Sequence, residues 1–301
     1  VVKTGDKYNT PLMAPGTVDV VVLDWDGGES LLNCLHSIDI QSQPPSRILI
    51  VDNGSTTPVY QRLPKDLLKT VPYVIIRNDT NLGFTGGINR AMKDVTAPYV
   101  AWVNNDAVLS EKWLEKLLPA VSGEGKIAGA QSIVLRDKTT VDGAGISIDG
   151  GLFRQIGHGQ KLGSLRQMTQ PWGISATAAL FRTNALQEVA LHGNALRPDF
   201  FAYYEDVELC ARLREKGWKF KLVPEALVMH KGSSSAGRLG WSGFQMRVRN
   251  RYVVARAHPG VGKAGALLNE DLSYAAKDLV TGRFRAATSR LRAVFQGLRT
   301  K

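Results

Sequence analysis

The chain has 301 residues, 44% hydrophobic and 22% charged, which is long enough to bury a large core in one domain or in one domain with an appendage. Its net charge of +11 is unevenly placed: residues 231–301 hold 14 Lys and Arg against only Glu270, Asp271 and Asp278, so the excess faces something anionic, phospholipid or nucleic acid, from the last quarter of the chain. No run nears the roughly 18–20 apolar residues of a membrane span and no leader pattern opens the chain, which argues against a membrane-spanning protein and predicts a cytoplasmic one.

In chain order, "VDVVVLDW" (18–25) reads as a buried strand, and "ESLLNCLHSI" (29–38) places Leu31, Leu32, Leu35 and Ile38 at helical spacing. Strand "RILIVD" (47–52), a short helix, strand "YVIIR" (73–77), helix "TGGINRAMKDV" (85–95) and strand "YVAWVN" (99–104) follow, then helix "EKWLEKLLPAV" and strand "IAGAQSIVL". This alternation predicts an α/β fold with a mostly parallel sheet. From about 139 to 182 the chain turns Gly-rich and strand-like, before a helix near 205, short strands "WKFKLV" and "ALVMH", and a flexible "KGSSSAG". Cys34 and Cys210 fall in helical patterns without CxxC spacing and read as small buried apolar residues in a reducing compartment. In "RFRAATSRLRAVFQGLR" (283–299), Phe284, Ala287, Leu291, Val294, Phe295 and Leu298 form one helical stripe beside Arg285, Arg292 and Arg299, a pattern suited equally to an anionic leaflet and to packing on the protein.

Polar residues gather at the carboxyl ends of the predicted strands, where an open parallel sheet binds ligands. The first ends in Asp24 and Asp26, the second in "VDNGST" (51–56), the third in "RNDTNLGFTGG" (77–87) and the fourth in "NND" (104–106). Asp52 can accept a pyrimidine ring N–H, and Gly83, Gly86 and Gly87 allow close backbone approach before opening a helix whose N-terminus favours phosphate. Asp106 is a hard oxygen ligand for Mg²⁺ or Mn²⁺, and His230 is either a second ligand or a structural histidine. "DWDGGES" after the first strand lacks GxGxxG, which excludes the dinucleotide fingerprint. In "FFAYYEDVELCARLREKGW", Glu205 and Asp206 open a helix directly after four aromatics, where each is either a cap or a solvated charge, or is reactive.

Taken in order, "VVVLDWDGGE", "ILIVDNGST", "NLGFTGGINRA", "VNNDA", "FFAYYEDVELCARLREKGW" and "VMHKGSSS", together with "RNRY" (249–252), resemble the family 2 glycosyltransferases of the GT-A fold, above all the bacterial rhamnosyltransferase-like branch acting on cell-surface polysaccharide. The resemblance implies a nucleotide-diphospho-sugar transferase with an N-terminal extension (1–16), a catalytic domain (17–230) divided into a nucleotide half (17–125) and an acceptor half (126–230), and a basic helical C-terminal extension (231–301). It places Asp24, Asp26, Asp52, Asn53, Gly83, Phe84, Gly86, Gly87, Asn104 and Asn105 around the donor, and Asn104, Asp106 and His230 around the metal. One acid of the family's metal-binding triplet is here Asn104, which weakens metal binding without donor. Asp206 is implied as catalytic base with Glu205 orienting acceptor or base, and Trp172, Thr177 and Tyr204 as acceptor contacts.

The implied reaction is inverting and Mn²⁺- or Mg²⁺-dependent, with dTDP-rhamnose as first donor and UDP-galactofuranose or a UDP-hexose as second. The acceptor is a saccharide or lipid-linked, the tail meets an anionic membrane surface at the inner face of the plasma membrane, no nucleic acid is expected, and a homodimer is left open. Two other classes remain. A nucleotidyltransferase needs a Gly-rich loop with Arg and Lys after the first strand, where "DWDGGES" offers acids. A non-catalytic polymer- or nucleic-acid-binding module explains the tail but not four acidic or amide strand ends.

Overall fold

A computed structural model describes residues 17–165, 170–230 and 234–300. The expected N-terminal extension, and Lys231–Ser233 of the "KGSSSAG" segment, lie outside the described residues.

Strands β1 (Val18–Asp24), β2 (Arg47–Asn53), β3 (Tyr73–Asn78) and β4 (Tyr99–Asn104) alternate with helices α1 (Glu29–Asp39), α2 (Val59–Arg62) and α3 (Gly83–Met92). They lie side by side in the order β3-β2-β1-β4, all parallel. The apolar pattern explains why both faces are covered: Val18, Val20 and Val22 enter one core cluster and Val21 the other, as Ile48 and Ile50 part from Leu49 and Val51. Because β1 sits between β2 and β4, the chain reverses its winding there, and a crevice opens beyond the carboxyl ends of these two strands.

The second half is mixed. It comprises β5 (Ala107–Leu109), α4 (Trp113–Ser122), β6 (Ile127–Leu135), β7 (Val141–Gly143), β8 (Ile146–Asp149), β9 (Leu152–Gln155), β10 (Ala178–Arg182), α5 (Thr183–Glu188), α6 (Glu205–Glu215) and β11 (Lys219–His230). β10 inserts antiparallel between β4 and β6, and β11 runs parallel to β6, so the parallel character expected for the whole sheet holds for its first half. The two strands expected at 218–230 are one, β11, whose pairing slips between Val223 and Leu227 around Pro224, the residue that cannot donate to the ladder.

Three C-terminal helices follow: α7 (Ser234–Ala257), broken at Gly240 by a left-handed φ of 49°, α8 (Ala264–Val280) and α9 (Phe284–Arg299). The segment after His230, expected to be flexible, is therefore helical from Ser234. One apolar cluster joins Val248, Tyr252, Val253, Leu267, Ala293 and Val294 to Ile146, Phe153, Phe200 and Val207, so the helices share a core with the residues beside α6. Among the described residues no helix is long and apolar enough to cross a membrane.

Candidate active site

The crevice at the β1/β4 switch deepens into a cavity of about 550 Å³, within the range of small-molecule sites. Its lining brings together Leu23, Trp25, Asn53, Asn81, Gly83 and Phe84 from the first strands and the start of α3 with Asn104, Asn105 and Asp106 after β4. Ser175, Ala176 and Thr177, Tyr203–Val207, and Phe153, Arg154 and Arg247 complete the wall from the second half and α7.

Gly83 opens α3 at φ 73°, and a Cβ there would lie 2.2 Å from the Phe201 carbonyl, so only glycine lets the helix start against the loop before α6. Asn53 is buried and bonds in every direction: its amide nitrogen donates to Asn81 Oδ1 and the Gly83 carbonyl, and its oxygen accepts from Asn78 and the Leu82 N–H. The amide thereby ties the β2 end to the loop that delivers Gly83 and Phe84 to the cavity.

Several residues expected at the donor do not reach the cavity, and each has a visible reason. Asp52 is fully buried, with Oδ1 accepting the Ser55 N–H (2.9 Å) and Oδ2 accepting the Val59 N–H (3.0 Å) and the Arg77 guanidinium. Asp24 is likewise enclosed, accepting from Gly27 N–H, Asn105, Ser55 and Arg62. Asp26 grips the backbone and hydroxyl of Thr56. These carboxylates brace the strand-end loops. Gly86 packs on Leu82 and Gly87 on Leu23, so both serve the closeness of α3 to its surroundings. Trp172 is also outside the lining: it packs between two core clusters, and its carbonyl accepts from Arg214. Thr177 and Tyr204 do line the cavity, as do Asn53, Gly83, Phe84, Asn104, Asn105 and Asp106.

Asp106 and His230, 124 positions apart in sequence, meet because β5 pairs antiparallel with β11 and sets Ala107 opposite His230. His230 Nε2 lies 3.1 Å from Asp106 Oδ1, and Nδ1 lies 3.2 Å from Asp142 Oδ2. Burial alone would lower the imidazole pKa, but the two carboxylates override it and hold it at about 9. The His230 contact in turn depresses Asp142, aided by Arg136, to about 2. Asp142 was not singled out in the sequence: it is a lone acid in the Gly-rich stretch, and only the β6–β7 pairing carries it to the histidine.

Glu205 and Asp206 stand together at the first turn of α6, on the cavity wall. Glu205 is 8% exposed, and its Oε2 has no hydrogen-bond partner. Burial first, then the neighbouring Asp206 charge, pushes its pKa up to about 8. Asp206 is also raised by burial, but the Val207 and Ala176 N–H groups and the Ser175 hydroxyl oppose that rise, so of the two it is better equipped to carry the negative charge. The residues before them, Tyr203 and Tyr204, both adopt left-handed backbone (φ 70° and 68°), a conformation that costs of order 1–3 kcal/mol each for residues other than glycine and is found where a site over-determines it.

The sequence profile of glycosyl transferase family 2 matches residues 20–190. The chain belongs to that family. It is a glycosyltransferase of the GT-A type. A curated relative from Mycobacterium tuberculosis, N-acetylglucosaminyl-diphospho-decaprenol L-rhamnosyltransferase, is 27% identical over 276 residues, covering 81% of this chain and 86% of the relative. Among solved structures, the mannosyltransferase of Pyrobaculum calidifontis in complex with GDP-Man and Mn²⁺ superposes with a TM-score of 0.59 at 12% identity, over 97% of this chain and 91% of that one. GalNAc-T7 with UDP, GalNAc and Mn²⁺ gives 0.59 at 15% identity over 80% of this chain, which spans 48% of that protein. These structural likenesses show the shared fold. Glu205, Asp206, His230 and the three C-terminal helices all lie beyond the stretch matched by the family profile.

Proposed function

We propose that this glycosyltransferase moves a sugar, rhamnose from dTDP-rhamnose in first place and a UDP-sugar in second, onto a lipid-linked saccharide of cell-surface polysaccharide, with inversion at the anomeric carbon. The observation that carries the reading is the pair of buried Glu205 and half-buried Asp206 facing the same cavity as Asp106 and His230. The wall from the first strands and α3 suits a nucleoside diphosphate. The wall from the second half holds the pair where an acceptor hydroxyl would enter. Asp206 takes the hydroxyl proton as the oxygen attacks from the face opposite the diphosphate, and protonated Glu205 beside it leaves the pair a single negative charge. The relative's action on a diphosphate-linked lipid supports a lipid-linked acceptor here.

A divalent cation would fit this donor set by displacing the proton between His230 Nε2 and Asp106: one hard carboxylate and one imidazole converge, and Asp142 orients the imidazole through its other nitrogen, the usual support for a ligating histidine. Among the described residues no group of three or more His, Cys, Asp or Glu is arranged to hold a metal, so Asp106 and His230, with the Asn104 side chain on the same wall, would share the ion with donor oxygens. When bound, Mn²⁺ or Mg²⁺ neutralises charge developing on the departing diphosphate. His230→Ala is expected to weaken Mn²⁺-dependent binding of UDP or dTDP on the order of tenfold or more, read by calorimetry, and to regain activity at high Mn²⁺. Unaltered metal-dependent binding would return His230 to a structural role.

The functional reading is tested by donor hydrolysis across UDP-, dTDP- and GDP-sugars with Mg²⁺ or Mn²⁺. Turnover confined to GDP-sugars would overturn the pyrimidine assignment.

The expected stripe on α9 divides in two. Ala287 and Val294, with Ala293 and Gly297, are buried in the helix packing, while Phe284, Leu291, Phe295 and Leu298 stay 38–64% exposed on an adjoining face. Arg285, Arg292 and Arg299 follow along its edge, and Val280 at the α8 end is 88% exposed. Apolar side chains flanked by a row of guanidinium groups match an anionic leaflet, where a lipid-linked acceptor resides. Combined Phe284→Ser, Leu291→Ser and Phe295→Ser substitution should lower binding to phosphatidylglycerol vesicles on the order of tenfold or more while sparing donor hydrolysis. Equal vesicle binding would remove the membrane role, and loss of a dimer in the same variant would assign the face to a second copy.

A further inference from the structure

The catalytic pair follows a loop that α6 holds only at its near end, where the Glu208 N–H donates to the Tyr204 carbonyl (3.0 Å). Tyr203 and Tyr204 are consecutive left-handed residues, neither of them glycine, and Tyr204 stands at the start of α6 with no side-chain cap. The two carbonyls before Tyr204 are held from α7, about 47 residues further along the chain. Asn250 is fully buried, and its Nδ2 donates both to the Ala202 carbonyl (3.0 Å) and to the Tyr203 carbonyl (2.9 Å). Both amide hydrogens are thus spent on adjacent carbonyls of one loop. Arg249 Nη1 donates to Asn250 Oδ1 (3.0 Å), which fixes the amide with its nitrogen, and not its oxygen, toward the loop. One turn earlier on the same helix, the Arg247 guanidinium lies over the Tyr203 ring, 5.0 Å from its centroid.

The next two residues of the "RNRY" motif anchor α7 from the other side. Arg251 and the Tyr252 hydroxyl both reach Asp271, a fully buried carboxylate on α8. Asn250 therefore stands on a helix fixed on both flanks, which is what a clamp on a strained loop requires.

We propose that Asn250 is a positioning residue for catalysis: it holds the Ala202–Tyr204 backbone in its left-handed turn and so fixes where Glu205 and Asp206 face the acceptor. The proposal rests on the assignment of Asp206 as base, and it makes the C-terminal helices part of the catalytic machinery. An asparagine suits the position because one side chain supplies two donors to two neighbouring carbonyls while its oxygen is engaged by a cation; alanine supplies none, and aspartate would turn an acceptor on them. Asn250 itself bonds only Ala202 and Tyr203, and the donor residues on β1–β4 and the start of α3 meet this loop one residue earlier, at Phe201.

The test is steady-state transfer from the preferred donor to a lipid-linked N-acetylglucosaminyl acceptor, together with amide hydrogen exchange of residues 201–206. Asn250→Ala is expected to lower kcat on the order of 10- to 100-fold, as for a small misplacement of a reacting group, with donor KM changed less than about twofold. Exchange at 203–206 should quicken, and Asn250→Gln, which keeps the amide, should regain part of kcat. A folded Asn250→Ala with wild-type kcat overturns the proposal, and so does a Gln variant no better than Ala with kcat, KM and melting temperature all degraded together. If Asn250→Ala does not fold, Arg249→Met decides: it leaves the amide in place but frees its orientation, so kcat should fall roughly three- to tenfold at constant donor KM, and wild-type kcat overturns the clamp. Asp206→Asn is run in parallel, since transfer surviving in that variant counts against the base assignment, while the exchange data still show whether Asn250 holds the loop.

Discussion

Asp206→Asn is expected to yield a folded protein that binds donor as before and transfers sugar roughly two to four orders of magnitude more slowly. The amide keeps the size of the side chain and an oxygen for the Val207 N–H, which Asp206 accepts at 2.8 Å, so α6 should survive. What is lost is the ability to take a proton. In the wild type Glu205 is the weaker base candidate: burial and the Asp206 charge raise its pKa to about 8 and its Oε2 is unpartnered, whereas three N–H groups and the Ser175 hydroxyl oppose the rise at Asp206. The pH profile follows from the same asymmetry. Transfer in the wild type should fall on the acid side as Asp206 takes up a proton, at a pH above that of an ordinary aspartate because burial raises it. In Asp206→Asn the repulsion between the two acids is gone, so the Glu205 pKa should drop from about 8. Titration of kcat in both proteins, with circular dichroism to verify the fold, checks this. Near-normal transfer by the variant would reassign the base to Glu205.

The largest stability effect is expected at Asp271. This carboxylate is fully buried between α7, α8 and α9, where it accepts from the Tyr252 hydroxyl (2.7 Å), from Arg290 (2.9 Å) and from Arg251. Asp271→Ala strands two guanidinium groups in a poorly solvated site, and breaking a buried pair in this way costs about 3–5 kcal/mol. Glu270 on Arg251 and Asp278 near Arg290 retain part of the network, so the lower end is expected. Urea unfolding should show an earlier midpoint at unchanged slope, because α7 to α9 share their apolar cluster with Phe200 and Val207 beside the catalytic pair. A separate early transition, with the remainder unfolding as in the wild type, would show that the C-terminal helices unfold independently of the sheet.

Much of this was readable in the chain itself. The near-continuous apolar runs at 18–25 and 47–52 and the helical spacing of Leu31, Leu35 and Ile38 depend only on neighbours in sequence, so the alternating α/β order emerged without tertiary information. Parallel strands put their carboxyl ends on one side, so Asp24 and Asp26 and the clusters at 51–56, 77–87 and 104–106 indicated a ligand crevice, and the ordered motifs indicated the family.

What each polar side chain does within the crevice was decided by tertiary structure. Asp24 and Asp52 read as ligand contacts because a carboxylate at a strand end has no assigned partner until its neighbours are known; the structure pairs them with Arg62 and Arg77. Asp142 became visible only when β7 paired with β6 beside β11, and Asn250 only when α7 folded back on the loop before α6. The division has a physical cause. Side-chain periodicity is a property of a few consecutive residues, whereas hydrogen-bond saturation, burial and the raised pKa of Glu205 are set by groups tens to more than a hundred residues away, brought together by strand order and register.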